Sequence, residues 1–222
     1  MSDGFLKLRV ADILRPVTTS MNFLMRLAKT RYFFWAVLSL PFVSTVIDYS
    51  RGQLILGEAI HASGEMSARL LILALLTTPL LLMFPGKAFP RWLIKNRRYL
   101  GVASFAYAAL HTAVYLEKVR WWPDIIDDAK MPSFWTGWVA LIIFLLLVST
   151  SNDRSVRWLK STWKKLHRIV YAAAALLFVH WVLVTSNLGV AIAHLALLVA
   201  FEGYRIWKLQ RIAAAGAEAE SS

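Results

Sequence analysis

The chain has 222 residues, of which 58% are hydrophobic and only 17% are charged. An average soluble domain is about 45–50% apolar and about 25% charged, and a single core of this size cannot bury the excess. The chain contains no cysteine, which excludes disulfides, thiolate zinc sites, iron–sulfur clusters and covalently attached c-type haem. The composition predicts an integral membrane protein.

Six stretches are long and apolar enough to cross a bilayer, which requires about 20 mostly apolar residues in a helix. In chain order they cover residues 32–49, 67–84, 99–117, 133–150, 166–185 and 188–207. The sequence therefore predicts an all-α, polytopic membrane helical bundle with six transmembrane helices. It is divided into a basic cytoplasmic leader (1–31), a six-span membrane domain (32–207) and a short, partly disordered cytoplasmic tail (208–222).

The charges predict how these spans are oriented. Twenty of the 25 Lys and Arg residues lie in four segments that share one side of the membrane. These segments are the leader, the loop between the second and third spans, the loop between the fourth and fifth spans, and the C-terminal end. That side carries a net charge of +14 and the other side −2, which together give the +12 of the whole chain. Because basic residues are retained on the cytoplasmic side, both termini are predicted to be cytoplasmic. Charge spread over four segments excludes nucleic acid as a partner and leaves membrane lipid as the surroundings.

The five histidines are the candidate cofactor ligands. His61 precedes the second span, His111 lies inside the third, His167 and His180 belong to the fifth, and His194 lies in the sixth. An ionisable side chain in hydrocarbon needs a partner, and a lone histidine is most often hydrogen-bonded to a neighbouring helix. Several histidines at matched depth favour a metal cofactor, because imidazole is an axial ligand of haem iron.

Two histidines are predicted to lie at similar heights in the outer half of the membrane. At about 1.5 Å per residue, His111 is about 18 Å and His180 about 21 Å from the cytoplasmic ends of their spans, so the pair is predicted to hold one haem. His167 is about 20 Å lower than His180, which suits a second haem, although an ideal helix turns the two about 140° apart. The corresponding position on the third span is Arg98, which is not a haem ligand. His194 is an alternative outer ligand, with a hydrogen-bonded helix histidine as the favoured interpretation.

Basic residues near the cytoplasmic ends of the third and fifth spans are candidate partners of haem propionates. They are Arg97, Arg98, Lys164 and Lys165. A guanidinium or ammonium group pairs well with a carboxylate, but the positive-inside rule explains the same residues without a cofactor.

A family resemblance runs from the third span to the fifth. It consists of Arg97-Arg98-Tyr99-Leu100-Gly101, Phe105-x-Tyr107, His111 and Tyr115, then Met131-Pro132-Ser133, Gly137 and Thr150-Ser151, then Trp163-x-x-Leu166-His167-Arg168-x-x-Tyr171 and His180. His61-Ala62-Ser63-Gly64-Glu65 and Thr78-Pro79 extend it weakly into the second span. The pattern resembles the MsrQ (YedZ) family, which belongs to the ferric-reductase-like transmembrane group.

The resemblance implies a b-type cytochrome of the bacterial inner membrane with one or two haems, held by His111, His167 and His180. Members of that family take electrons from a quinol or a cytoplasmic flavin reductase, and some bind FMN. They pass the electrons to a periplasmic molybdopterin enzyme, the catalytic subunit that reduces methionine sulfoxide. The chain is therefore expected to be an electron-transfer subunit of an oxidoreductase system.

Two other functions remain open at this stage. Within the same class, the chain is a candidate transmembrane ferric reductase, which needs no periplasmic partner enzyme. From a different class, it is a candidate small transporter or scaffold with structural histidines. Transporters often carry internal repeats and broken helices, whereas this sequence shows no convincing repeat and has proline inside its spans only at Pro41 and Pro79.

Overall fold

A computed structural model describes residues 31–119 and 121–221, and within these ranges the chain forms ten helices and no strand. The helices are α1 (Arg31–Ser50), α2 (Leu56–Met83), α3 (Ala88–Lys95), α4 (Arg97–Val119), α5 (Trp122–Asp128), α6 (Pro132–Ser149), α7 (Asp153–Leu159), α8 (Ser161–His167), α9 (Val170–Val184) and α10 (Leu188–Ser221). Six segments of the described chain are long and apolar enough to cross a membrane. The predicted all-α fold with six spans is confirmed, and the predicted leader lies outside the described residues except for Arg31.

Two helices are longer than the apolar stretches predicted. α2 begins at Leu56, so His61 lies inside this helix rather than ahead of it. The start is stabilised by Glu58, whose carboxylate accepts a hydrogen bond from the Ile55 backbone N–H at 3.1 Å and complements the positive end of the helix dipole. α10 continues to Ser221, so the helix extends beyond the predicted end of the sixth span, in keeping with the high helix propensity of the alanines there.

The fifth span is interrupted between α8 and α9. Residues 168 and 169 form a turn, in which the backbone N–H groups of Arg168, Ile169 and Tyr171 donate to the carbonyls three residues earlier at 3.1–3.2 Å. Bonds of this 3₁₀ type wind the chain more tightly than an α-helix does. The angle of about 140° expected for an ideal helix between His167 and His180 therefore does not apply.

The described chain divides into two compact units, the second of which begins at Ile47. In this second unit α2 packs against α4, α10 and α3, while α9 packs against α6 and α10, and α4 contacts α6. The buried core includes Leu71, Leu75, Phe144, Phe178 and Trp181. The unit thus contains two closely packed helix pairs, α2–α4 and α6–α9.

Small hydroxyl residues bring α2 and α4 close together. The Ser67 hydroxyl donates to the Ser104 carbonyl at 2.9 Å, and the Ser104 hydroxyl donates to the Ser67 carbonyl at 2.9 Å. Both side chains are buried. Small residues at a helix interface allow backbones to approach closely in lipid. Here the contact between α2 and α4 lies at Ser104, seven residues before His111.

Candidate functional site

The two helix pairs place His111 and His180 opposite each other, and these two residues are called the facing pair below. His111 extends from α4 and His180 from α9, and their ring centroids are 6.1 Å apart with an interplanar angle of 88°. Both rings are only partly exposed. The similar depths predicted from the sequence are therefore accompanied by direct proximity across the bundle.

Each of these histidines is anchored by a backbone carbonyl of the partner helix. His111 Nδ1 lies 2.8 Å from the Ile60 carbonyl oxygen on α2, and His180 Nδ1 is hydrogen-bonded to the Ser133 carbonyl oxygen on α6. A carbonyl only accepts, so Nδ1 of each ring donates its hydrogen. The neutral imidazole then carries its lone pair on Nε2, the form in which histidine binds a metal.

A glycine lies behind each ring. A Cβ atom on Gly64 of α2 would lie 2.9 Å from His111 Nδ1, and a Cβ atom on Gly137 of α6 would lie 2.9 Å from His180 Nδ1. The side chain of any other residue at position 64 or 137 would therefore occupy the space of an imidazole ring.

The spacing of the two rings fits a shared metal ion. A histidine nitrogen lies about 2.0–2.1 Å from a bound transition metal, and the ring centre is roughly 1.1 Å further away, so two axial imidazoles have centroids roughly 6–6.5 Å apart. The observed 6.1 Å agrees with this distance. No group of three or more His, Asp or Glu side chains in the described part of the chain could hold a metal ion by itself. Two imidazoles without further protein ligands suit a haem iron, whose remaining ligands come from the porphyrin.

His167 has different surroundings from this pair. Its Nε2 lies 3.1 Å from the Thr150 hydroxyl oxygen, and its ring stacks on Trp163 with centroids 3.9 Å apart. Trp163 in turn donates its indole N–H to the Thr150 carbonyl at 2.9 Å. These contacts join the end of α6 to α8 and hold the ring of His167 beside a hydroxyl rather than beside a second histidine.

The basic residues predicted as propionate partners lie at the surface near His167. Arg97, Arg98 and Lys164 are all exposed. Arg98 donates to the Asp153 carboxylate at 2.6 Å, and this guanidinium lowers the pKa of Asp153 below its ordinary value. Arg98 therefore already has an acidic partner on α7 within the chain.

The other two histidines differ from the facing pair in their surroundings. His194 donates from Nδ1 to the Val190 carbonyl of its own helix at 2.8 Å, and its ring packs against Trp181 at 5.3 Å. This is the hydrogen-bonded arrangement favoured from the sequence. His61 is exposed on α2.

An ion pair inside the sixth span was not predicted. Glu202 and Arg205 of α10 are 2.9 Å apart, with side chains 14% and 22% exposed, respectively. Arg205 also donates to the Tyr171 hydroxyl on α9 and lies over the Tyr171 ring, 5.4 Å from its centroid. The sequence signal was a Glu and an Arg three residues apart at the end of an apolar run, since charges in a membrane need partners.

On the opposite side, Tyr115 connects the histidine-bearing helix to the short helix α5. Its hydroxyl donates to the Asp128 carboxylate at 2.8 Å, and its ring packs against Phe134 and Trp138 at 5.6 and 6.3 Å. Tyr115 lies one helical turn beyond His111, so this contact links the facing pair to the loop between α4 and α6.

Comparison with known proteins agrees with this architecture. Residues 63–179 match the family described as the ferric reductase like transmembrane component. The matched stretch runs from α2 into α9 and includes His111 and both glycines, and it ends one residue before His180. The fold and the site thus define a multi-pass membrane protein of the ferric-reductase-like class.

Relatives narrow the class further. A chain from Xanthomonas axonopodis pv. citri, named protein-methionine-sulfoxide reductase heme-binding subunit MsrQ, is 33% identical over 155 residues, which cover 68% of this chain and 69% of the relative. A chain of the same name from Rhizobium meliloti is 33% identical over 164 residues, covering 70% and 74%. The chain belongs to the MsrQ family and is a multi-pass protein of the bacterial inner membrane.

Proposed function

We propose that the chain binds haem b between His111 and His180 and carries electrons across the inner membrane to a periplasmic methionine sulfoxide reductase. The observation that carries this proposal is the facing pair, with rings 6.1 Å apart and each Nδ1 bonded to a carbonyl. The relatives are named as heme-binding subunits of such a reductase. Because the chain has no cysteine, the haem is held without a covalent bond.

The residues of the site hold and insulate the cofactor. Haem supplies reversible one-electron chemistry when it is bound. His111 and His180 would hold the iron through Nε2, while the Ile60 and Ser133 carbonyls keep the proton on Nδ1 and would raise the basicity of the ligands. The helices that carry the pair are apolar, and α9 buries Phe178 and Trp181 in the core; such surroundings would exclude water and tune the reduction potential of the cofactor.

Electrons enter, in this proposal, from a quinol or from a cytoplasmic flavin reductase, with FMN as a candidate intermediate carrier. A shallow pocket of about 530 Å³ is lined by Arg154, Ser155, Arg157 and Trp158. The positive-inside rule places this loop in the cytoplasm. Guanidinium groups pair with phosphates and carboxylates, so the pocket suits either a flavin phosphate or an acidic donor protein.

A second haem at His167 is a separate part of the proposal. Arg97, Arg98 and Lys164 supply cations at the same end of the bundle, which suit haem propionates. The bond between His167 Nε2 and Thr150 at 3.1 Å would have to be exchanged for iron. The ratio of haem to protein tests this part: a ratio near two supports it, and a ratio near one limits the protein to the site of His111 and His180.

Electrons leave, in this proposal, toward the loop between α4 and α6. Its helix α5 carries Asp124, Asp127 and Asp128, and Tyr115 connects it to the helix of His111. Asp127 is paired with Lys130 at 2.6 Å, and the remaining carboxylates of α5 would attract basic groups of a partner. We therefore propose this loop as the place where the periplasmic molybdopterin subunit docks.

Spectroscopy of the purified protein tests the haem site. We expect the detergent-solubilised chain to show b-type bands on reduction with dithionite, and His111→Ala or His180→Ala to lose most of the bound haem. His194→Ala and His61→Ala are the matched controls and should keep it. Wild-type protein without b-type bands would falsify the proposal, and unchanged spectra in both site variants would refute the ligand pair.

A ferric reductase is the second candidate, because the matched family is described by that activity. The two functions differ in the acceptor. A cytochrome that serves methionine sulfoxide reductase needs the periplasmic subunit for turnover, whereas a ferric reductase reduces ferric chelates without it. Reoxidation of the dithionite-reduced protein by a ferric chelate, compared with reoxidation by the periplasmic enzyme and a methionine sulfoxide substrate, separates the candidates.

A further inference from the structure

The same local arrangement occurs twice, once behind each facing histidine. A Cβ atom on Gly64 would lie 2.9 Å from Nδ1 and 3.1 Å from Cε1 of His111. A Cβ atom on Gly137 would lie 2.9 Å and 3.0 Å from the same atoms of His180. Both sets of distances are too short for an alanine methyl group, so each imidazole edge rests directly on a glycine.

The position of each glycine explains why it must lack a side chain. The carbonyl acceptors, Ile60 and Ser133, each lie four residues before the glycine, on the same face of the helix. A helical side chain covers the turn on the N-terminal side of its own Cα. A side chain at Gly64 or Gly137 would therefore cover the carbonyl to which the histidine donates.

The residue before each glycine repeats as well. Ser63 donates its hydroxyl to the Ala59 carbonyl at 2.6 Å, and Thr136 donates to the Pro132 carbonyl at 2.7 Å. Both side chains are buried. Because these hydroxyls are bonded within their own helices, they do not compete for the imidazole. Each imidazole bonds instead to the carbonyl that the glycine leaves uncovered.

We propose that Gly64 and Gly137 are positioning residues that set the angle between the two imidazole planes. Each ring is confined by a carbonyl and a glycine of its own helix pair, so α2 fixes the plane of His111 and α6 fixes the plane of His180. The result is the perpendicular arrangement, with 88° between the planes. This inference rests on the proposed haem site and extends it to the two glycines that contact its histidines.

The angle between axial imidazole planes has a spectroscopic signature. In oxidised low-spin haem, perpendicular planes give a highly anisotropic electron paramagnetic resonance signal, and parallel planes give a rhombic one. The hydrogen bond from Nδ1 to the carbonyl also raises the basicity of the ligand and so affects the midpoint potential. Both quantities report on the rings themselves rather than on the overall stability of the protein.

The test compares four glycine variants of the full-length, haem-loaded protein in detergent. Gly64→Ala and Gly137→Ala place a methyl group against a ring, whereas Gly101→Ala on α4 and Gly203→Ala on α10 place one where no atom lies within 4 Å. We expect the wild type and both controls to give the highly anisotropic signal and one common midpoint potential. We expect Gly64→Ala and Gly137→Ala to lose that signal, in favour of a rhombic or high-spin one, and to shift the potential.

Outcomes separate this inference from the proposed function. Spectra and potentials of Gly64→Ala and Gly137→Ala that match those of the controls overturn it while leaving the haem site intact. If either variant does not accumulate, the wild-type spectrum decides, because a rhombic signal contradicts perpendicular planes and a highly anisotropic one supports them. A wild-type protein that binds no haem overturns the proposed function itself.

Discussion

At the scale of single residues, the histidines of the spans differ in what holds the imidazole. His111 and His180 donate from Nδ1 to the carbonyl of a different helix. His194 donates to its own helix, and His167 is bonded through Nε2 to a threonine hydroxyl. Residue type and depth are visible in the sequence, but the partner of each nitrogen is not. The partner nevertheless decides the tautomer, and hence which nitrogen is able to bind a metal.

The pair formed by Arg98 and Asp153 gives a prediction for the pH dependence of stability. Arg98 lowers the pKa of Asp153, so the pair stabilises the folded state above the unfolded pKa of about 3.9, and this contribution is lost as the pH falls through the folded pKa. We expect Asp153→Asn to lower Tm only slightly at pH 7, because exposed ion pairs contribute little. Thermal unfolding in detergent, followed from pH 7 down to acid pH, measures the difference in Tm between the wild type and Asp153→Asn. This difference should shrink toward zero at low pH.

A double-mutant cycle provides the control for this prediction. In an Arg98→Gln background, Asp153→Asn should have almost no further effect on Tm at pH 7. An effect of Asp153→Asn that is equally large at both ends of the pH range would show that the charge of Asp153 is not its cause.

At the scale of elements, apolar length predicted the number of helices better than it predicted their ends. α2 extends to Leu56 because a helix tolerates polar residues beyond the hydrocarbon, and Glu58 stabilises its first turn. The sequence did not predict the turn between α8 and α9, because the residues around it are compatible with a continuous helix. Tertiary contacts of His167 and Trp163 with Thr150 hold α8 at this place.

Two adjacent alanines of α9 give a prediction about packing. Ala173 is completely buried in the core, whereas Ala172 is exposed. We expect Ala173→Leu to destabilise the protein by about 1–3 kcal/mol, because added volume in a packed core forces its neighbours apart. The same substitution at Ala172 should change stability by no more than about 0.5 kcal/mol. Thermal or denaturant unfolding in detergent measures both, and equal effects at the two positions would contradict the packing of α9.

At the scale of the whole molecule, the helices define the number of spans and the charges predict their orientation. The six spans follow from the helices of the described chain. Their orientation is a prediction from the charge difference between +14 and −2 on the two sides through the positive-inside rule. The proposed direction of electron flow depends on this orientation, because it assigns the basic pocket of α7 to the cytoplasm and the acidic helix α5 to the periplasm.

Cysteine labelling tests the orientation directly, because the chain has no cysteine of its own. Ser161→Cys and Ser186→Cys each place one thiol at an exposed position, on opposite sides of the fifth span. We expect a membrane-impermeant maleimide to label Ser186→Cys in intact spheroplasts and to label Ser161→Cys only after lysis. The wild type should remain unlabelled, and the reverse pattern would place the termini in the periplasm.

The sequence alone determined the class of the protein and predicted the depth of its histidines. A segment that crosses hydrocarbon must be apolar and must satisfy its own backbone hydrogen bonds, so composition and length predict six helices, and the helical rise sets the height of each residue. The pairing of His111 with His180 was predicted from their depth, but only the tertiary structure showed that their rings meet and which glycines lie behind them. The physical reason is that residues facing lipid and residues facing a neighbouring helix are equally apolar, so the rotation of each helix is not visible in the pattern of hydrophobic residues.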